Sequence, residues 1–376
     1  VTPGPVQPVL LAVALLAVTV ALRGIGPQGR AANPVARRLA TIYRLVAALL
    51  VCRLVIVLVP GATASFVTVA LMVLAAWLPL AGLRFAEELV RRHAARWIKL
   101  LALVGGAAFS VIALTIGFVW SGPTLVALAT FQAIVVALMV MLITANRTGL
   151  SQGERATADT FLIALAATIP MALTDFHAIA PGLPVRFGPF AMLLLVLATS
   201  RLVDGADAPR KLVRDVLLCL GGGGLAALAS EGSPSAAAFG TALSALALLV
   251  ERFARSRRGT EGLVRALARA DPRDPAALLA SHPLLATGRV IEGEALAAWP
   301  QATVSTLAAM PVVSDSSVDP DLRDAARDLL DSLAATHLVR LPGDQPRFLA
   351  VSAGSFAGPR LGDELILLSR LLERSA

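Results

Sequence analysis

Arg53, Asp175, His177 and Arg186 are the ionisable residues of this 376-residue chain whose setting suits chemistry inside a membrane. Arg53 lies deep in the apolar run 40–59, where an unpaired charge costs at least about 2.5 kcal/mol. It therefore calls for a buried partner or a partner protein, with snorkelling as the alternative. Arg44, nine residues earlier, falls on the opposite helix face, about a turn from the end of the run, and snorkels there. Asp175 and His177 close the sixth apolar run and precede Arg186. A carboxylate, an imidazole and a guanidinium so placed make a small polar membrane site, and helix capping or loop hydration explains the same residues. A second group is acidic. Asp321, Asp324, Asp328 and Asp331 recur three to four residues apart and so line one side of a helix, near Asp315 and Asp319. That face suits a basic partner or the chain's own Arg-rich loops, with a solvated helix face as the bland alternative.

Several chemistries lack their residues. The two cysteines, Cys52 and Cys219, sit in apolar runs and form neither a disulfide framework nor a cysteine metal site. The only lysines, Lys99 and Lys211, lie at helix ends, whereas a retinal Schiff base needs a lysine within a bundle. None of the four histidines (His93, His177, His282, His337) has a His-Glu phosphoacceptor context. The run Gly221 to Gly224 lies inside an apolar segment, where close helix packing or a helix break accounts for it better than phosphate binding. We therefore expect no enzyme activity, no cofactor and no metal.

The elements that position these residues are mostly membrane helices. The chain is 57% hydrophobic and 15% charged, against about 25% charged in a soluble domain. About 20 apolar residues cross the hydrocarbon core. Nine apolar segments fit, near 6–22, 40–59, 64–83, 99–120, 123–145, 158–175, 187–203, 212–230 and 235–252. The first seven are the better defined. The last two are shorter and rich in small residues, so a re-entrant hairpin is an alternative there. The first lacks the basic start of a cleaved signal peptide. Trp77, Trp97 and Trp120 read as interfacial anchors.

Charge sets the orientation. Residues 1–258 hold 22 Lys+Arg against 10 Asp+Glu, and residues 259–376 hold 11 against 15. The basic half is the membrane half, so its expected partner is lipid, and the acidic soluble end argues against nucleic acid. Basic residues gather after the first, third, fifth, seventh and ninth segments, while the alternate loops hold only Arg186. The positive-inside rule then puts the N-terminus outside and the C-terminus in the cytoplasm of a bacterial inner membrane.

Beyond Arg258 the pattern changes. A helical connector over 259–271 precedes an α+β domain over 272–376 with one antiparallel sheet. Helices are expected at Ala276 to Ala280 and Thr303 to Met310, and from Asp319-Pro320 to about Ala335. Strands are expected at Arg289 to Ile291, Ala295 to Trp299, Pro311 to Val313, His337 to Leu341 and Arg347 to Ala353. The first two would flank a hairpin turn at Glu292-Gly293-Glu294. Trp299 and His337 read as packing residues. The tail Asp363 to Glu373 carries Leu365, Leu368 and Leu372 on one stripe of an amphipathic helix.

Two stretches carry a resemblance. Arg155 to Val203, from Thr157-Ala158-Asp159-Thr160-Phe161 through Leu173-Thr174-Asp175 to Pro184-Val185-Arg186-Phe187-Gly188-Pro189, resembles the sixth-to-seventh span junction of the seven-helix sensor region of some bacterial histidine kinases. Arg289 onward, above all Ala334 to Ala353 and Pro359 to Leu372, resembles a short GAF domain, with its order of helix, two central strands, Gly/Pro loop and closing helix. These likenesses imply a sensing architecture, and no kinase, phosphatase or cyclase module occurs up to Ala376. The function expected is a non-enzymatic, sensor-like membrane protein whose GAF-like domain contacts another protein. A structural accessory subunit of a larger membrane complex is the alternative, and a transporter the weaker one.

Overall fold

The computed structural model describes residues 6–25, 34–59, 61–115, 121–150, 152–175, 186–202, 208–258, 263–286, 288–314, 317–333, 335–343, 345–352 and 359–375. Two units divide the chain: Val1–Arg147 with Thr157–Arg252, and Thr148–Ala156 with Phe253–Ala376.

The first unit is a bundle of long apolar helices: α1 (Val6–Ile25), α2 (Pro34–Leu58), α3 (Ala62–Val90), α4 (Arg96–Thr115), α5 (Ser121–Asn146), α6 (Gln152–Leu173), α7 (Gly188–Arg201), α8 (Ala208–Ala229) and α9 (Pro234–Arg258). Among the described residues, eight of these are long and apolar enough to cross a membrane. The chain is a multi-pass helical membrane protein. The exception is α7, although its segment reads as firmly as any in the sequence. Its 14 residues span only about 21 Å at 1.5 Å each, short of the hydrocarbon core. The two segments suspected of re-entry, α8 and α9, are full-length helices.

Helix α7 is wrapped by protein along its length. Every residue from Gly188 to Arg201 is buried except Met192, Leu195 and Ser200. Helix α3 packs on α2, α4 and α5, and α7 packs on α1 and α8. At the α3–α4 corner Glu87 accepts from Ala94 N at 2.7 Å and pairs with Lys99 Nζ at 2.7 Å. Arg91 ends α3 in the left-handed region at φ 51°. Trp77 is not at a span end. Because α3 runs on to Val90, Trp77 sits mid-helix, and its Nε1 donates to Ser110 Oγ of α4 at 3.1 Å. Trp97 is 58% exposed in the first turn of α4; Trp120 lies outside the described residues.

The glycine run packs helices. A Cβ on Gly222 would collide with Ser244 Oγ of α9, and one on Gly223 with Thr241 Oγ1. One on Gly240 would meet Ala226 Cβ and Gly222 O. Small residues thus let the two backbones touch. Gly221 and Gly224 face open space.

The second unit is a three-layer α+β domain. Its elements are α10 (Leu263–Arg269), α11 (Pro275–Ala280), α12 (Pro283–Ala286), β1 (Arg289–Ile291), α13 (Glu294–Ala297), α14 (Gln301–Ala308), β2 (Val312–Val313), α15 (Arg323–Ser332), β3 (His337–Arg340), β4 (Phe348–Val351) and α16 (Pro359–Ser375). The sheet is antiparallel throughout, in the order β1-β4-β3-β2, with Leu338 opposite Ala350 and Val339 opposite Leu349. Alternation splits the core in two. Ile291, Val313, Leu338 and Phe348 pack on Leu307 of α14 and Leu329 and Leu330 of α15. Val312, Val339, Leu349 and Val351 pack on Leu365, Leu368 and Leu372 of α16 and on Leu278 and Leu285.

Two boundaries differ from the sequence reading. Ala295 to Trp299 is no strand: Gly293, at φ 56°, turns the chain straight into α13. Strand β1 pairs with β4 instead, and Trp299 packs against the α14–α15 core. The connector is also part of the domain, since Leu263 and Leu267 are buried in the α16 core. The Leu-rich face of α10 closes the layer that residues 272–376 alone leave open.

Candidate functional site

A short helix enclosed in a bundle leaves end groups that water in the hydrocarbon cannot satisfy. The chain supplies partners at both ends of α7. At its start Phe187 has no capping side chain of its own. Instead Thr174 Oγ1 accepts from Phe187 N at 2.9 Å and Asp175 Oδ1 from Gly188 N at 3.2 Å. Asp175 thus puts a negative charge at the positive end of the helix. Arg53 of α2 forms an ion pair with Asp175, whose side chain is only 10% exposed. Arg186 donates from Nη1 to Thr174 O at 2.7 Å, and its backbone N donates to Gln7 Oε1 of α1 at 3.3 Å.

Three of the four candidate membrane residues therefore converge. Arg53, Asp175 and Arg186 surround the start of α7, and Arg53 does find the buried partner its depth demands. His177 lies outside the described residues. Among the described residues, the arrangement has no exposed nucleophile or acid–base pair. Its geometry is that of a helix cap whose carboxylate is paired with Arg53, with Arg186 held beside it on Thr174 O.

No protein-family model, no curated protein and no solved structure matches this chain. Function has to be argued from the geometry.

The far end of α7 holds residues that sequence reasoning missed. Arg201 Nη2 stands 2.5 Å from Asp215 Oδ2 of α8, and its Nε donates to the same carboxylate at 2.7 Å. Tyr43 of α2 shares a hydrogen bond with Thr199. Arg252 of α9 donates from Nε to Ser200 O at 2.8 Å, placing a cation on the negative end of the helix. Asp215 carried a signal. It is a carboxylate three residues inside an apolar run, and such a charge needs a partner. Arg201 is that partner.

Between these ends lies a cavity of 490 Å³. Ile42 and Val46 of α2, Leu78 and Gly82 of α3, Ala133 and Val136 of α5, Leu165 and Leu173 of α6, and Met192 and Leu195 of α7 are among its walls. Its size falls within the roughly 300–1,000 Å³ of small-molecule sites. Gln132 is its most polar wall, and that amide already donates to Ala75 O at 2.8 Å. The cavity suits hydrocarbon rather than an ion or a sugar.

The acidic surface is in the second unit. Asp321 sits in the 3-10 turn Pro320–Leu322, and Asp324, Asp328 and Asp331 follow on α15, all exposed. Asp319 is exposed as well, and Asp315 lies outside the described residues. Arg323 and Arg327 interrupt the acidic row, so like-charge repulsion along α15 is smaller than the aspartate spacing alone implies.

Proposed function

We propose that this chain is a non-enzymatic, sensor-like membrane protein whose helical bundle is coupled to a cytoplasmic GAF-like domain that docks on another protein. The observation that carries the reading is the division of α6. Its residues to Ala156 count with the α+β unit, where Gly153 N donates to Ser352 Oγ just after β4 at 3.1 Å. Its residues from Thr157 belong to the bundle, line the cavity and lead to Asp175. One helix is thereby common to the cavity wall and to the α+β unit, which is what transmission of an input requires. The order α15, β3, β4, α16 supports the GAF likeness, and the Arg-rich alternate loops support an outside N-terminus and a cytoplasmic domain.

The test pairs topology with partnership. A reporter fused after Ala376 should be active only in its cytoplasmic form, and purification in a mild detergent should bring down a signalling protein. Periplasmic reporter activity overturns the orientation. A stoichiometric multi-subunit assembly replaces the sensor with a structural accessory subunit, and solute flux through reconstituted protein replaces it with a transporter.

A further inference from the structure

We infer that the cavity seats one anionic membrane lipid, with an acyl chain between α2, α3, α5 and α6 and its acidic head against Arg53. The site needs the bundle to lie in a bilayer and does not depend on the signalling role.

The argument begins with what fills the space. The cavity lies among helices that cross a membrane, so the medium supplied to it is hydrocarbon. Its walls are almost all aliphatic or aromatic, the amide of Gln132 is already engaged, and the Thr168 hydroxyl donates to Leu165 O of its own helix. An acyl chain needs no polar partner there.

The second step places the polar end. On α2 the cavity-lining Ile42 and Val46 share a stripe with Arg53, which follows Val46 by seven residues and so lies on the same face about 10 Å further along. On α6 the lining ends with Ala172 and Leu173, and Asp175 comes two residues later. On α7 Met192 and Leu195 repeat the stripe that starts at Gly188, whose N–H is bound to Asp175. Three helices thus converge from the apolar walls to one polar end.

The charge there selects the head group. Arg53 and Arg186 bring two positive charges, and Asp175 brings one negative charge that is spent on Arg53 and on Gly188 N. The balance is cationic, reinforced by the start of α7. The Arg53 side chain is 28% exposed, and a guanidinium has five donors, more than one shared carboxylate consumes. A phosphodiester head meets that fork; a zwitterionic head brings its own cation into an already cationic corner.

The test uses the full chain in a nonionic detergent, titrated with phosphatidylglycerol or phosphatidylcholine of identical chains and read by native mass spectrometry. One phosphatidylglycerol should be retained in preference to phosphatidylcholine by roughly fivefold, the size of one basic side chain's contact with an anionic lipid. Arg53→Gln should bring the two lipids to parity. Ala133→Phe should cut retention of both. Ala133 is an exposed wall residue, so that variant fills the cavity without touching the ion pair or the packed core. Equal retention of both lipids by the wild-type chain overturns the inference. So does undiminished phosphatidylglycerol binding by Ala133→Phe, which would move the lipid to the surface Arg clusters.

Discussion

Arg201 and Asp215 form an ion pair at the end of α7 in which the carboxylate is wholly buried and the guanidinium 2.5 Å away is 10% exposed. Two such charges hold their place only because each neutralises the other. Removing one strands its partner in a medium that cannot solvate it. Asp215→Ala should destabilise the bundle by about 3–5 kcal/mol, while Arg201→Met with Asp215→Leu recovers most of that loss. Thermal unfolding of the detergent-solubilised chain checks both, and a double variant no better than the single one refutes the pairing argument.

The glycine run contains its own control. Gly223→Val drives a branched side chain into Thr241 and Ala237 O, whereas Gly224 has nothing within 4 Å of a Cβ. The first substitution should lower the melting temperature clearly. Gly224→Ala should leave it level or raise it, since alanine is favoured in a helix by up to about 1 kcal/mol. Equal losses at both positions would show that α8 and α9 do not pack as described.

The α+β domain carries a pH-sensitive imidazole. Burial holds His282 below the ordinary value of about 6.5. Its Nδ1 accepts from Leu284 N at 3.2 Å, which requires that nitrogen to be unprotonated. The unfolded chain therefore binds the proton more readily, and the neutral form's contribution is complete above about pH 6.5 and lost as pH falls through the depressed folded value. Denaturant titrations between pH 7.5 and 5 in the full chain should show this fall. His282→Asn keeps an acceptor and should flatten that part of the profile; an unchanged slope would assign it to carboxylates.

The exposed aspartates of α15 supply a binding prediction. Asp324→Lys with Asp328→Lys should weaken co-purification of a basic partner at low salt, with secondary structure unchanged because neither residue is buried. Unaltered recovery would leave this face to water.

Much of the membrane architecture was legible because hydropathy and charge alternation are strong signals over twenty residues. The α7 segment shows the limit of that signal. Its run is as apolar as its neighbours, and only the polar anchors Thr174, Asp175, Asp215 and Arg252 reveal that its helix stops short. Arg53 was legible as a charge in need of a partner, but the partner lies 122 positions away, and one sequence does not specify that pairing. In the domain, β3, β4 and α16 followed from their periodicity. Ala295 to Trp299 did not, because its alternation is weak and Gly293 decides the turn.

The contact of α8 with α9 through Gly222, Gly223 and Gly240 also bears on how the protein is made. Both helices are among the least apolar of the eight, and a tight turn joins them, with Gly232 N donating to Ala227 O at 2.8 Å. Alone, each gains little by leaving the translocon for lipid; together they hide glycine backbone against glycine backbone. The pair should therefore enter the bilayer as one hairpin, and a released chain truncated after Ser230 should leave Cys219 more reactive to water-soluble thiol reagents than it is in the full chain.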